Sequence, residues 1–77
     1  MKVTVRLEGH LREFFPGLKA PRELVVSTGV TVSELIELAG MAPELPSAVL
    51  CNHQRVERSH RPADGDELVL LSPMSGG

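Results

Sequence analysis

The chain has 77 residues, a net charge of −2 and an isoelectric point of about 5.8. This length supports one small domain that buries only ~60% of its unfolded surface, which leaves no room for a catalytic cleft between two lobes. The slight acidity, with two Phe and no Tyr or Trp, argues against nucleic-acid binding, which needs a basic surface or aromatic rings for stacking.

Compartment signals are few. The only cysteine, Cys51, cannot form an internal disulfide, so nothing indicates an oxidising environment. Met1 leads directly into a strand pattern without an apolar leader or a cleavage site. No apolar stretch approaches the ~20 residues that span a bilayer. We therefore expect a cytoplasmic, soluble protein that makes no membrane contact.

The first third of the chain predicts two strands. Apolar and polar residues alternate over 3–7, which is typical of a half-buried strand. An apolar segment follows at 11–15 and is closed by a turn at Pro16-Gly17. A second strand is predicted over 23–27, so the two strands should form a hairpin with a long connection.

The clearest element is a helix over 31–40. Thr31 and Glu34 match the capping box, in which each side chain accepts a hydrogen bond from the other residue's backbone. Apolar residues recur from Val32 to Ala39 at i, i+3, i+4 and i+7, which predicts one buried face. Gly40 stands where a helix commonly ends in a glycine.

Three strands are expected after the helix: 48–51, a short polar edge strand around Val56, and 67–71. Turns should fall at 52–55 and 62–66. The last strand lacks alternation, as expected of a central strand covered on both faces. The order β-β-α-β-β-β predicts an α+β fold.

The sequence closes on Gly76-Gly77, after Ser72-Pro73-Met74-Ser75. Glycines have no Cβ and can thread a narrow channel, and they leave a terminal carboxylate unhindered. We expect a body over 1–71 and a flexible tail over 72–77. The alternative is that the glycines are only a frayed end, which is common in small domains.

Three motifs carry a resemblance to a known family. They are Leu11-Arg12-Glu13 followed by Gly17, the turn Asp64-Gly65-Asp66-Glu67-Leu68, and the closing Ser72-Pro73-Met74-Ser75-Gly76-Gly77. Together they resemble the β-grasp, ubiquitin-like sulfur carriers, above all the molybdopterin synthase small subunit and also the thiamine-pathway carrier. Ser72 and Met74 replace the family's proline and valine. The resemblance implies a mixed sheet of four or five strands packed on one main helix.

The same resemblance implies a chemistry for the tail. An ionised carboxylate, with a pKa of ~3.5, is a poor electrophile. In the family an E1-like enzyme uses ATP to adenylate the terminal glycine, here Gly77, which then becomes a thiocarboxylate. A synthase large subunit receives the sulfur. The chain would bind no cofactor and would act as a cosubstrate, non-catalytic by itself.

Several assignments stay open. Molybdopterin synthesis is favoured, while thiamine synthesis, tRNA thiolation and cysteine synthesis use similar carriers. A ubiquitin-like modifier conjugated to lysines would also begin with adenylation. An inert β-grasp interaction domain is the third alternative.

Docking is predicted at the tail's root. A carrier that is released after each cycle needs a modest interface with a few apolar anchors. We expect Leu71 and Met74 to be these anchors and Arg12 to supply charge at the rim. Pro73, Ser75 and Gly76 would thread the partner's channel together with Gly77.

Other candidate sites are weaker. Cys51 lies in an apolar strand pattern and is predicted to be a core residue. The three histidines lack ligand spacing, so no metal centre is predicted. Asp64-Gly65-Asp66 is expected to be a turn, not a calcium loop. A local basic cluster is either a solvated edge or a docking patch for an acidic partner: His53, Arg55, Arg58, His60 and Arg61.

Overall fold

The computed structural model describes residues 1–18 and 20–72, so the expectations for Pro73, Met74, Ser75, Gly76 and Gly77 lie outside it. Its elements follow the predicted order with two short additions. They are β1 (Lys2–Glu8), α1 (Leu11–Phe14), a 3-10 turn (Pro16–Leu18), β2 (Arg22–Val25), α2 (Val32–Leu38), β3 (Ala48–Cys51), β4 (Gln54–Val56) and β5 (Glu67–Leu71).

The five strands form one mixed sheet in the order β2-β1-β5-β3-β4. β5 runs parallel to β1 and antiparallel to β3, so the last strand is central, as predicted. Its middle residues Leu68, Val69 and Leu70 are all buried. β1 and β2 pair as the expected antiparallel hairpin. The prediction of an α+β fold, with a mixed sheet on one main helix, is confirmed.

Strand alternation divides the sheet into two faces. One face packs with α2 and holds the core, whose members are Val3, Val5, Leu7, Leu11, Leu18, Val32, Leu35, Ile36, Met41, Val49, Cys51, Leu68 and Leu70. The other, outer face carries the alternate residues of each strand and is not covered by a helix among residues 1–18 and 20–72. Val69 and Leu71 of β5 belong to this outer face, next to Leu50 and Ala48 of β3.

Helix α2 has the predicted cap. The backbone N–H of Glu34 donates to Thr31 Oγ1 at 3.2 Å, and the N–H of Thr31 donates to Glu34 Oε1 at 2.9 Å. The bonds from the Thr31 backbone and side chain hold the pKa of Glu34 below its usual range. Gly40 follows the helix with φ of +94°, a conformation that favours glycine.

The one-turn helix α1 and the 3-10 turn were not predicted from the sequence. The apolar segment at 11–15 was expected to be closed only by a turn. Leu11 and Leu18 point into the core from these two turns. A single turn is too short to show a helical repeat, so only the packing of the two leucines identifies it.

The predicted basic cluster is divided by the fold. The guanidinium of Arg58 donates to the carbonyls of Pro43 and Pro46, which ties β4's exit to the loop before β3. Arg61 Nε donates to the Gly29 carbonyl at 3.1 Å. Two of the cluster's cations therefore hold loops in place, which neither alternative had anticipated. No helix within the described ranges is long and apolar enough to cross a membrane.

Candidate functional site: the root of the C-terminal segment

Ser72 marks the point at which the chain leaves the sheet. It follows β5 directly, yet only 4% of its surface is exposed. The sequence placed Ser72 in a flexible tail. The ordered body instead extends one residue beyond the predicted boundary, because both the side chain and the carbonyl of Ser72 are bonded.

Two hydrogen bonds fix this residue, and a third fixes the residue before it. The Ser72 hydroxyl accepts a hydrogen bond from the backbone N–H of His10 at 2.9 Å. Its carbonyl accepts a bond from the Ser47 hydroxyl at 2.9 Å. The Ser47 N–H donates to the Leu71 carbonyl at 2.8 Å, which continues the β3–β5 ladder by one step. The direction in which the chain leaves β5 is thus set from both neighbouring strands.

Gly9 makes room for this arrangement. It ends β1 with φ of +71°, and a Cβ built there would overlap the Ser72 hydroxyl. Two independent requirements therefore favour glycine at this position: the left-handed backbone and the close approach of Ser72. Gly9, Glu8, Ser47, Leu71 and Ser72 line a shallow, mostly apolar groove.

An apolar strip lies on the outer face beside this root. It consists of Ala48, Leu50, Val69 and Leu71, paired as Ala48 with Leu71 and Leu50 with Val69. Ala48, Leu50 and Leu71 are each partly exposed, and Val69 is 9% exposed. The prediction required Leu71 to be partly accessible in the free protein, and it is. We call these four residues the outer strip.

Arg12 lies on α1, two residues after His10. Because the N–H of His10 is bonded to Ser72, α1 begins at the tail's root and presents Arg12 at its border. Arg12 is exposed and lines a second shallow depression with Gly9, His10 and Glu13. His10 Nδ1 is 3.3 Å from Glu13 Oε2. The structure therefore brings Arg12 and Leu71 to the same end of the sheet, as the docking prediction needs.

The sequence did not reveal the residues that anchor the root. Gly9, His10 and Ser47 carried no sequence signal for this role. A glycine at a strand end is a weak signal, since it commonly marks any turn. The link between 9–10, 47 and 72 depends on strand order, which places β1 and β3 on either side of β5.

The other sequence candidates behave as structural groups. Cys51 is buried in the core, as predicted. Burial, with a thiol hydrogen bond to Asp66 Oδ2 at 3.4 Å, raises the pKa of Cys51 to about 11. The hydrogen bond from the Ala63 N–H, and to a smaller extent that from the Asn52 side chain, holds the pKa of Asp66 below its usual range. Asp64 accepts a bond from the Lys2 N–H at 2.7 Å, and Gly65 has φ of +87°, so the predicted turn is present.

Solved structures place this arrangement in a known fold. SAMP1 (small archaeal modifier protein 1) from Haloferax volcanii is 26% identical, with a TM-score of 0.78 and both chains covered in full. A putative molybdopterin converting factor, subunit 1, from Pyrococcus furiosus is 20% identical, with a TM-score of 0.74 and 96% and 99% of the two chains covered. Subunits 1 and 2 of molybdopterin-converting factor from Helicobacter pylori form a complex in which the matching chain is 23% identical, with a TM-score of 0.63 and full coverage of both chains.

These similarities and the sheet order define a ubiquitin-like protein with the β-grasp fold. The profile of the ThiS family matches residues 5–77, and the chain belongs to that family of ubiquitin-like sulfur carriers. The predicted resemblance is thereby confirmed. No curated protein matches the sequence significantly.

Proposed function

We propose that Gly77 carries the reactive carboxyl group of this sulfur carrier, and that its sulfur is delivered in molybdopterin synthesis. The observation that supports this most directly is the fixed root. Ser72 is bonded to β1 and β3 beside the partly exposed Leu71, so whatever follows it leaves the body at one defined point.

The chemistry requires two partner steps. An E1-like enzyme forms an acyl adenylate from ATP and the Gly77 carboxylate, and pyrophosphate leaves. A persulfide or sulfide then attacks the acyl carbon, the carbon–oxygen bond to AMP breaks, and a thiocarboxylate remains. The chain itself supplies no catalytic group and binds no cofactor in this proposal. Its contribution is to present the acyl carbon where both partners can reach it.

Chain geometry agrees with this role. Five residues follow Ser72, and fully extended they reach at most ~18 Å at ~3.3–3.6 Å each. That distance places Gly77 inside a buried site while the body stays outside. Pro73 fixes one φ angle, which reduces the conformational entropy lost on insertion. Gly76 and Gly77 present no Cβ to the walls of a channel.

The body would dock through the outer strip, with Leu71 as its anchor and Met74 as the next apolar contact. The strip borders the exit at Ser72, so one surface can hold the body while the tail is inserted. Arg12, at the rim of the same end, would add charge complementarity. The four apolar residues of the strip make a small interface, which suits a carrier that must dissociate after each cycle.

The favoured acceptor is the large subunit of molybdopterin synthase. Its support is the similarity to one chain of the Helicobacter pylori complex, in which subunits 1 and 2 are bound to each other. The cytoplasmic location belongs to the same proposal, as does activation by the E1-like enzyme. Carriers for thiamine, tRNA thiolation or cysteine synthesis would share the first step and differ only in the acceptor.

Intact mass of the full chain tests the proposal. Incubation with the cognate adenylating enzyme, ATP and a sulfur donor should raise the mass by one oxygen-to-sulfur exchange. A large subunit supplied with the substrate that accepts the sulfur should then restore the original mass, since water returns the oxygen to the Gly77 carboxylate. Deleting Gly77 should abolish the exchange without changing the melting temperature. An unchanged mass, while the enzyme turns over ATP with this chain, would refute the carrier role.

Protein modification is the second candidate function. The similarity to SAMP1, a small archaeal modifier protein, favours it. The same adenylate would then be attacked by a lysine amine, giving an isopeptide bond in place of a thiocarboxylate. Incubation with cell extract and ATP distinguishes the two, because conjugates migrate as larger species and, after digestion, carry on lysine a branched peptide from this C-terminus that ends in Gly76-Gly77.

A further inference from the structure

A second group of chemically distinctive side chains lies at the other end of β5. Cys51 ends β3, His60 follows β4, and Asp66 directly precedes β5. One ligand-type atom of each, the Cys Sγ, a His ring nitrogen and an Asp carboxylate oxygen, lies within 4.8 Å of the other two. Sequence spacing hid this group, because its members are nine and six residues apart and belong to three different segments.

From this geometry we propose that Cys51, His60 and Asp66 bind a single Zn²⁺ ion that clips these three segments together. This site is separate from the proposed tail chemistry. It also departs from the sequence prediction of no metal centre, which considered histidine spacing along the chain and not the strand order that gathers these residues.

The donor set suits zinc. Thiolate, imidazole and carboxylate are its usual protein ligands, at about 2.3, 2.0–2.1 and 2.0–2.2 Å, and tetrahedral geometry then separates neighbouring donor atoms by about 3.4–3.6 Å. Cys51 Sγ and Asp66 Oδ2 are already 3.4 Å apart. The remaining separations are at most 4.8 Å, so closing them needs a shift of no more than about 1.4 Å, which the exposed His60 ring can supply by rotating about its side-chain bonds.

Asp66 and the backbone of His60 are held by bonds that metal binding would leave intact. Asp66 Oδ2 accepts from the Ala63 N–H at 2.8 Å and Oδ1 accepts from Asn52 at 2.9 Å. The His60 carbonyl accepts from the Val32 N–H at 2.8 Å, which fixes its backbone to the start of α2. Bonds to a ligating carboxylate, as at Asp66, orient it before the metal arrives and raise the affinity for the metal.

The exchange at the site is simple. In the metal-free protein the Cys51 thiol proton occupies the space between Sγ and Oδ2. Binding forms a Zn–S bond and breaks the S–H bond, and the proton passes to buffer. Three protein ligands leave the fourth position to water. Asp66 and Leu71 lie at opposite ends of β5, about 17 Å apart at ~3.3 Å per residue, so the ion should not contact the tail's root.

Cobalt and zinc titrations of the full chain test this site. After chelation, Co²⁺ should bind at one ion per chain and produce a sulfur-to-cobalt charge-transfer band in the near ultraviolet. Zn²⁺ should displace it, remove the band and raise the melting temperature. Absence of the band would overturn the proposal, because Cys51 is the only thiol in the chain.

Two variants and a matched control locate the ligands. Cys51→Ser should abolish the band, and His60→Asn should weaken Co²⁺ binding at least tenfold. His53→Asn makes the same change in an exposed neighbouring turn, at a φ of +72° that Asn tolerates, and should leave the affinity unchanged. Equal losses in the two histidine variants, or none in His60→Asn, would show that the ion is bound elsewhere.

Whether Asp66 binds the ion is tested in the wild-type chain, because replacing Asp66 would remove the bonds that hold its turn. The NMR signal of its carboxyl carbon should shift on addition of Zn²⁺, while that of the exposed Asp64 should not. A shift of neither carboxyl carbon would remove Asp66 from the ligand set and overturn the three-ligand site. Sulfur loading of Gly77 should proceed equally with and without Zn²⁺, so failure of either proposal is distinguishable from failure of the other.

Discussion

The backbone N–H of His10 donates a hydrogen bond to the Ser72 hydroxyl at 2.9 Å, joining residues 62 positions apart. This bond ties the chain just after β5 to the loop that leaves β1. Ser72→Ala should remove it and leave the His10 N–H without this partner, at a cost of about 1–3 kcal/mol in the free energy of unfolding. Ser59→Ala, at an exposed turn, should change stability by less than about 0.5 kcal/mol. Urea unfolding measures both, and equal values would show that the bond contributes nothing.

Gly9→Ala tests the close approach of Gly9 to the Ser72 hydroxyl. The new Cβ would overlap the Ser72 hydroxyl, and the alanine would have to keep a φ of +71°. Gly29→Ala is the control, because Gly29 has φ of +91° but open space around it. Its free energy of unfolding should fall only by the ~1–2 kcal/mol that a left-handed conformation costs an alanine. The free energy of unfolding of Gly9→Ala, measured by urea unfolding, should fall clearly more than that of Gly29→Ala.

The double variant Gly9→Ala/Ser72→Ala isolates the steric part. Without the hydroxyl, the new Cβ keeps only ordinary neighbours, so the double variant should be less destabilised than the sum of the two single variants. A coupling of about 0.5–3 kcal/mol is expected for residues in direct contact. Strict additivity would mean that the loop shifts freely and that Gly9 is needed only for its backbone conformation.

Local patterns predicted the elements that have their own sequence signals. The capping box of Thr31 and Glu34 placed the start of α2, and the unbroken apolar run of 68–71 predicted a central strand. Both depend on neighbours in sequence, where alternation and capping rules apply. The motif around Leu11-Arg12-Glu13 indicated the family but not the one-turn helix that it forms.

Long-range contacts could not be predicted in the same way. Ser72 was assigned to a flexible tail because it follows the last predicted strand, whereas its partners His10 and Ser47 are distant in sequence. Cys51 and Asp66 likewise meet because β5 lies beside β3, and the segment after β4 brings His60 to them. Sequence separation conceals such groups until the strand order is known.

Leu71→Ala should weaken binding of both partner proteins at least tenfold. Full burial of a leucine contributes ~1.5–3 kcal/mol, and about 1.4 kcal/mol corresponds to a factor of ten. Val25→Ala is the matched control, since Val25 is 79% exposed on the same face of the sheet but on the edge strand β2. Calorimetric titration with each partner measures the effect. Wild-type affinity in Leu71→Ala would remove the outer strip from the docking surface.

Arg12→Ala should act mainly on the rate of association with the adenylating enzyme. A charge at the rim of an interface steers encounter and contributes less to the final affinity. The difference from wild type should shrink as salt shortens the screening length below ~10 Å, above about 0.1 M. Lys2→Ala removes the same charge at the opposite end of β1 and should leave the rate nearly unchanged. Stopped-flow measurements at several salt concentrations distinguish local steering from an effect of net charge.

The buried thiol of Cys51 should make stability depend on pH in the alkaline range. Its pKa is raised from 9.0 to about 11 by burial, followed by the bond to Asp66. Between these values the unfolded chain releases the thiol proton while the folded chain retains it, so the unfolded state binds fewer protons and the free energy of unfolding falls as pH rises. This contribution is fully present below pH 9.0 and is lost as pH rises to about 11.

Cys51→Ser carries no such group and should show a flatter profile across that window. Urea unfolding in the presence of a chelator, at several pH values, makes the comparison in metal-free protein. The rate of Cys51 alkylation provides an independent check, because it follows the thiolate fraction and should keep rising beyond pH 9.0. Parallel stability profiles for the two proteins, or an alkylation rate that levels off near pH 9.0, would show that the thiol is not shielded in the folded chain.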